Sequence, residues 1–199
     1  VRSVLLLFQD EQLVSMLTHG LGRTDLREKD VLITSCAFGN VIPRVVATAV
    51  GSGARRVLIA DIIKHELDNA QGKLAAFPGK VEYLEENATA MRQADGSVSA
   101  NVIFFLLHEL PHRDQVAALR EAARVLEPGG KLYLAEFHRP TPWLLRAMGW
   151  TYFKTFEPWA LAVWDTHDPL KQLEAIGGFT TERRTLFSCY FQTILATRN

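Results

Sequence analysis

The 199 residues suffice for one well-buried core and are too few to expect two, and 22 basic against 22 acidic side chains leave a formal net charge of zero. No Lys/Arg run exceeds two, so the chain lacks the positive field that gathers phosphates, and nucleic acid is excluded as an expected partner. Cys36 and Cys189 are too few for a disulfide framework and are not spaced as metal ligands, which points to a reducing, cytoplasmic compartment, and no apolar run nears the roughly 20 residues that span a bilayer.

In chain order, residues 3–18 set Val4, Leu5, Phe8, Leu13 and Leu17 at mostly helical spacing, which predicts a leading amphipathic helix. The chain opens on Val1, so a signal peptide is neither read nor excluded. Val31 to Thr34 reads as a short buried strand, followed by a turn of small residues and a helix with Pro43 in its first turn, running to about Val50. Arg56 to Ala60 repeats the strand pattern and ends at Asp61; Glu66, Leu67, Ala70, Lys73 and Leu74 mark the next helix. Val81 to Leu84, Val102 to Leu107 and Leu132 to Phe137 are the third, fourth and fifth strands. Between the last two, Val116, Leu119, Ala122, Ala123 and Leu126 mark a helix that Gly129-Gly130 is expected to close.

All four tryptophans, Trp143, Trp150, Trp159 and Trp164, then fall together with Tyr152, Phe153 and Phe156, predicting a lid or interfacial segment over 141–167. Thr180 to Phe187 and Cys189 to Ala196 are joined too closely for a crossover helix and so form an antiparallel hairpin. The fold class is α/β: a doubly wound, mostly parallel, seven-stranded sheet with right-handed crossovers and a C-terminal antiparallel hairpin, in one domain over 1–199.

In such sheets ligands sit beyond the carboxyl ends of the strands. Asp61 stands at the second end, where a carboxylate offers two acceptor oxygens to the two adjacent hydroxyls of a ribose. Asn87-Ala88 lies past the third, and His108-Glu109 and Phe137-His138 mark the fourth and fifth, so that two polar clusters are expected to define one substrate site. His108, Glu109 and His138 are the candidates for proton handling, since imidazole titrates near neutrality. Their plainer reading is that they cap strand ends and order loops, with Arg139 clamping Glu109. The run His108-Glu109-Leu110-Pro111-His112 matches H-E-x-x-H, but zinc binding needs both imidazoles on one continuous helix, and Pro111 instead opens the helix that follows.

Five parallel strands followed by a hairpin, with these strand ends, resemble class I S-adenosylmethionine-dependent methyltransferases over nearly the whole chain. The resemblance implies a Rossmann-like fold and S-adenosylmethionine as cofactor. Where that family carries an acid and then G-x-G-x-G, the chain has VLITSCAFG at 31–39: Ile33 stands in the acid's place, Ser35 and Ala37 replace two glycines, and Gly39 remains. Carried over position by position, Thr34, Ser35, Cys36, Ala37 and Gly39 line the cofactor's approach, Asp61 takes the ribose, and Ile62, Asn87 and Ala88 meet the adenine. Phe105 is a further expected contact. The same glycine-poor turn also reads as a plain strand-to-helix connection, which leaves a non-catalytic cofactor- or quinone-binding protein as an alternative of another class.

Within the family, FFLLHELP at 104–111, ARVLEPGGKLYLAEFHRP at 123–140, FEPWALAVW at 156–164 and TLFSCYFQ at 185–192 are similar to quinone-modifying enzymes. The fuller set is closer to the rhodoquinone-biosynthesis branch, which implies transfer of an amino group from S-adenosylmethionine to ubiquinone, with manganese as a further cofactor. Ile33 favours that branch, because an acid there would hold the amino group as ammonium. Phe38, Asn40 and Asn87 depart from the branch's metal-site pattern and leave Asp61 as the carboxylate nearest a metal. Ordinary C- or O-methyl transfer to a quinone or small apolar aromatic is the alternative. A lipophilic substrate implies peripheral contact at the inner membrane, with Trp143, Leu144, Leu145, Met148 and Trp150 as its face.

Overall fold

The computed structural model describes residues 10–36 and 40–199, so the expectations for Val4, Leu5, Phe8, Ala37, Phe38 and Gly39 fall outside it. Helix α1 (Asp10–Leu21) leads into β1 (Asp30–Thr34), α2 (Val41–Gly51), β2 (Arg56–Asp61), α3 (Lys64–Lys73), β3 (Val81–Glu85) and β4 (Val98–Phe104). A 3-10 turn at Leu107–Glu109 precedes α4 (His112–Val125) and β5 (Leu126–Phe137). Then come α5 (Trp143–Phe156), α6 (Pro158–Asp165), α7 (Pro169–Ile176) and the hairpin β6 (Phe179–Leu186) and β7 (Phe191–Arg198).

The seven strands form one sheet in the order β3-β2-β1-β4-β5-β7-β6. β1 to β5 pair in parallel, while β7 runs antiparallel to both β5 and β6. Every residue of β1 and β4 is buried, as a parallel sheet covered on both faces requires. Successive side chains leave opposite faces, so Val31 and Ile33 join Leu13 and Leu17 of α1 and Val45 and Val46 of α2 in one core. Leu32 joins Leu119 and Ala122 of α4, with Leu58, Leu134 and Ile194, in the other. Each such buried aliphatic stabilises the fold by about 1.5–3 kcal/mol relative to exposure. The free edge β6 alternates half-buried and exposed and carries Glu182, Arg183 and Arg184, charges that discourage edge pairing.

Two local expectations are corrected. The strand read at 102–107 is β4, which ends at Phe104 because Phe105 takes a left-handed φ of 53° and turns the chain out of the sheet. Gly129-Gly130 does not close α4: that helix ends at Val125, Leu126 is already extended, and residues 127–130 loop out between the Val98–Leu126 and Ala100–Lys131 pairings. Gly129 serves that loop with a φ of 79°. Pro111 caps α4, as read from sequence.

Candidate active site

The carboxyl ends of the parallel strands gather the site residues. After β1, Ser35 adopts a φ of 77° while its N–H donates to Ala60 O at 2.8 Å, so the chain leaves the sheet sharply beside β2. Thr34 is buried, and its hydroxyl donates to Asn101 Oδ1 at 2.9 Å, which ties β1 to β4. Asp61 receives the Cys36 N–H on Oδ2 at 2.6 Å and the Ile63 N–H on Oδ1 at 2.8 Å. Among the described residues each carboxylate oxygen has one such donor, which leaves it a further lone pair.

A cavity of about 200 Å³ opens there, lined by Ser35, Asp61, Ile62, Asn87 and Ala88 among others. Ile62 is 63% exposed, an unpartnered apolar surface beside a carboxylate. Asn87 turns its amide oxygen onto the N–H and hydroxyl of Thr89, both at 2.9 Å, which leaves its NH2 as the free group. One wall thus offers carboxylate acceptors, an apolar surface and an amide donor within a single small cavity. Burial and then the charge of Asp61 push the Cys36 thiol up to about 12, so it stays protonated and unreactive near neutrality. Phe105 is not on this cavity's wall. Its ring packs at 5.0 Å from Phe137, 5.9 Å from Phe191 and 5.8 Å from His108.

The second pole is built on Glu136, a residue the sequence reading passed over. Its side chain is fully buried at the end of β5. Oε2 accepts the N–H groups of Leu107 and His108 at 2.9 and 3.3 Å, Oε1 accepts the Phe137 N–H at 2.8 Å, and His108 Nδ1 faces Oε1 at 2.9 Å. The 3-10 turn makes this arrangement, aiming two backbone donors and the imidazole at one carboxylate. His108 Nε2 then points the other way, 4.0 Å from Glu109 Oε1 and 4.0 Å from Glu157 Oε2. Burial opposes the imidazolium, but Glu136, Glu109 and Glu157 outweigh it and raise the His108 pKa.

Burial also raises the Glu109 pKa; His108 opposes, while Glu136, Glu157 and Asp61 add to it. Glu157, also missed from sequence, joins α5 to α6. It accepts from the Tyr152 hydroxyl at 3.2 Å on Oε1, while Oε2 is buried without a partner. It lines a second cavity of about 190 Å³ whose walls include Phe137, Met148, Tyr152, Phe153, Tyr190 and Phe191. Burial, Glu157 and Tyr152 push Tyr190 up to about 12, which keeps its hydroxyl a donor.

His138 goes elsewhere. Its Nδ1 faces Cys189 O at 2.8 Å and its Nε2 faces the Arg183 guanidinium at 3.3 Å, so both ring nitrogens are engaged by the hairpin. The two polar clusters expected to converge therefore have separate partners, and Phe137, 4.8 Å from His108, is the part of the second that reaches the first. Arg139 pairs with Asp165 at 3.4 Å, in place of the expected clamp on Glu109. His112 stacks on His167 while His108 is held by Glu136, so the H-E-x-x-H histidines share no centre. Among the described residues no group of three or more His, Cys, Asp or Glu side chains is placed to hold a metal ion, although Glu86 and Asp114 line the cavity with Asp61; the donor set does not fit manganese.

Residues 31–130 match the family described as Methyltransferase domain. The chain is similar to the ubiquinone/menaquinone biosynthesis C-methyltransferase UbiE of Klebsiella pneumoniae, 38% identical over 87 residues that make up 43% of this chain and 34% of that protein. UbiE of Hahella chejuensis is 36% identical over 88 residues, with 43% and 34% covered. The match spans about a third of the length of these relatives. Among solved structures, the YcgJ protein from Bacillus subtilis superposes with a TM-score of 0.74 at 12% identity, over 95% of this chain and 99% of that one. A SAM dependent methyltransferase from Aquifex aeolicus gives 0.67 at 17% identity, over 95% and 89%. At these identities the likeness is one of fold.

Proposed function

The chain belongs to the methyltransferase-domain family and has the class I methyltransferase fold, and from that premise we propose that it methylates a ring carbon of a lipophilic, hydroxylated aromatic of the quinone kind. The observation that carries the reading is the Glu136-held imidazole of His108, which lies 4.8 Å from the ring of Phe137 and turns Nε2 to within 4.0 Å of Glu157, both on the wall of the aromatic cavity. S-adenosylmethionine, when bound, supplies an electrophilic methyl group on a sulfonium. The residues that would hold it are Asp61 through its spare lone pairs, Ile62 and Ala88 as apolar surface, and Asn87 through its NH2, with Ser35 and Cys36 shaping the approach.

His108 Nε2 takes the proton of a ring hydroxyl, which leaves an oxyanion that enriches the neighbouring ring carbon; the hydrogen replaced by the methyl group at that carbon leaves as a proton to solvent, and the imidazolium returns its proton to the oxyanion. Glu136 fixes the tautomer through Nδ1–H and stabilises the imidazolium that forms. A positioned base of this kind contributes roughly 10²- to 10⁴-fold. Phe137, Tyr190 and Phe191 present apolar surface to the ring, and the lining of the cavity by Leu145, Met148, Tyr152 and Phe153 supports reading 1–199 as one methyltransferase-like domain with 141–167 as its cover.

Methyl transfer is favoured over amino transfer. The relatives named above are C-methyltransferases, and Ile33, which suggested the amino-transfer branch, is a buried residue of β1 accounted for by packing. The test is to incubate the protein with a demethylated hydroquinone and cofactor labelled separately at methyl and amino positions, and to weigh the products. A ring-bound methyl label is expected; label arriving only through nitrogen, or no product with cofactor bound, overturns the proposal.

A further inference from the structure

Helix α5 turns its apolar residues outward. Trp143, Leu144, Met148 and Trp150 are 72%, 55%, 57% and 45% exposed, with Ala147 exposed between them. At helical spacing these positions share one side, while Gly149 and Phe153 take the buried side. An ordinary surface helix does the reverse. Phe156 and Trp159, on either side of the junction with α6, are exposed as well.

The charge on this face has one sign. Lys154 lies on it, Arg146 borders it on the side of Gly149 and Phe153, and no acid lies between Thr141 and Phe156. Lys154 Nζ sits 4.6 Å from the ring centre of Trp150, a cation held against an exposed indole. Indole rings with adjacent cations suit the headgroup region of a bilayer, where the ring reaches the acyl boundary and the ammonium meets phosphate. Met148 also lines the aromatic cavity, so the cavity's wall is continuous with the outward face. Among the described residues no helix is long and apolar enough to cross a membrane.

We infer that α5 docks the protein on an anionic lipid surface, with Trp143, Leu144, Met148 and Trp150 inserted and Lys154 at the phosphates. The inference rests on the helix face and its charge and stands apart from the reading of the reaction. The experiment is flotation of the whole chain with phosphatidylcholine vesicles, with and without phosphatidylglycerol, comparing wild type, W143S/L144S and K154Q, each checked for an unchanged melting transition. Binding to the anionic vesicles is expected to weaken about tenfold or more in W143S/L144S. In K154Q it falls about fivefold, and high salt weakens the wild type. No flotation, or equal binding to neutral and anionic vesicles at all salt concentrations, overturns the inference. So does a concentration-dependent dimer that W143S/L144S dissolves, which would make a second copy the occupant. Should W143S/L144S fail to fold, K154Q and the salt series decide.

Discussion

His108 and Glu136, 28 positions apart in sequence, meet with Nδ1 and Oε1 2.9 Å apart at the adjoining ends of β4 and β5. The carboxylate also collects three backbone N–H groups, so the imidazole is oriented by a group that is itself fixed. Neither ring rotation nor tautomer exchange is free there, which is what a base acting through Nε2 requires.

Glu136→Gln is expected to lower kcat about 10²- to 10³-fold while S-adenosylhomocysteine affinity stays within about twofold. In the wild type, kcat/KM falls as pH drops through the raised His108 value, and in the variant that limb moves to lower pH. Steady-state kinetics across pH with calorimetric cofactor titration checks both; an unmoved limb would remove His108 from proton handling.

The same pair makes a stability prediction. A histidine whose folded pKa is raised contributes stability that is fully present below its ordinary value of about 6.5 and is lost as pH rises through the folded value. The stability gap between wild type and His108→Gln, measured by denaturant titration, should therefore be widest on the acid side and narrow above it.

Asp61→Asn puts an amide donor against the Cys36 or Ile63 N–H and removes an acceptor from the first cavity. Cofactor affinity is expected to fall about tenfold to a hundredfold, with about 1–2 kcal/mol of stability lost, as for other hydrogen bonds to charged groups. Calorimetry and denaturant melts separate the two effects.

For His138→Ala the expected order is reversed. Its ring joins the end of β5 to the β6–β7 hairpin through Cys189 and Arg183, so about 1–2 kcal/mol of stability should go while kcat changes less than about threefold. Collapse of turnover in a folded variant would return His138 to the chemistry.

Gly149→Ala places a Cβ 2.5 Å from Trp164 Cη2 and 2.9 Å from the Tyr190 hydroxyl. The overlap is expected to destabilise the protein by about 1–3 kcal/mol and to shift tryptophan emission, read as a lower Tm and a changed fluorescence spectrum.

The strands were legible because buried parallel strands are short apolar runs, and Asp61 was legible because it ends one of them. Glu136 was not, since a lone acid closing LYLAEF looks like a strand end until the β4–β5 register sets Phe104 beside Ala135 and brings the His108 turn over it. An acid inside an otherwise apolar run was the available signal. Leu106 and Leu107 read as strand because their burial comes from the turn's packing, which periodicity cannot separate from a sheet's. Gly129-Gly130 read as a helix end because composition marks a turn without saying which element owns it. His138 was placed with His108 by adjacency of strand ends, and nothing in the sequence showed that the hairpin would claim both its nitrogens.

Glu157 closes α5, its N–H bonded to Phe153 O at 2.9 Å, and opens α6, while its carboxylate faces His108. The outward helix and the His108–Glu136 pair therefore meet at one residue. The end of α5 and the electrostatic surroundings of the imidazole are set by a single position, so neither can be rebuilt without the other.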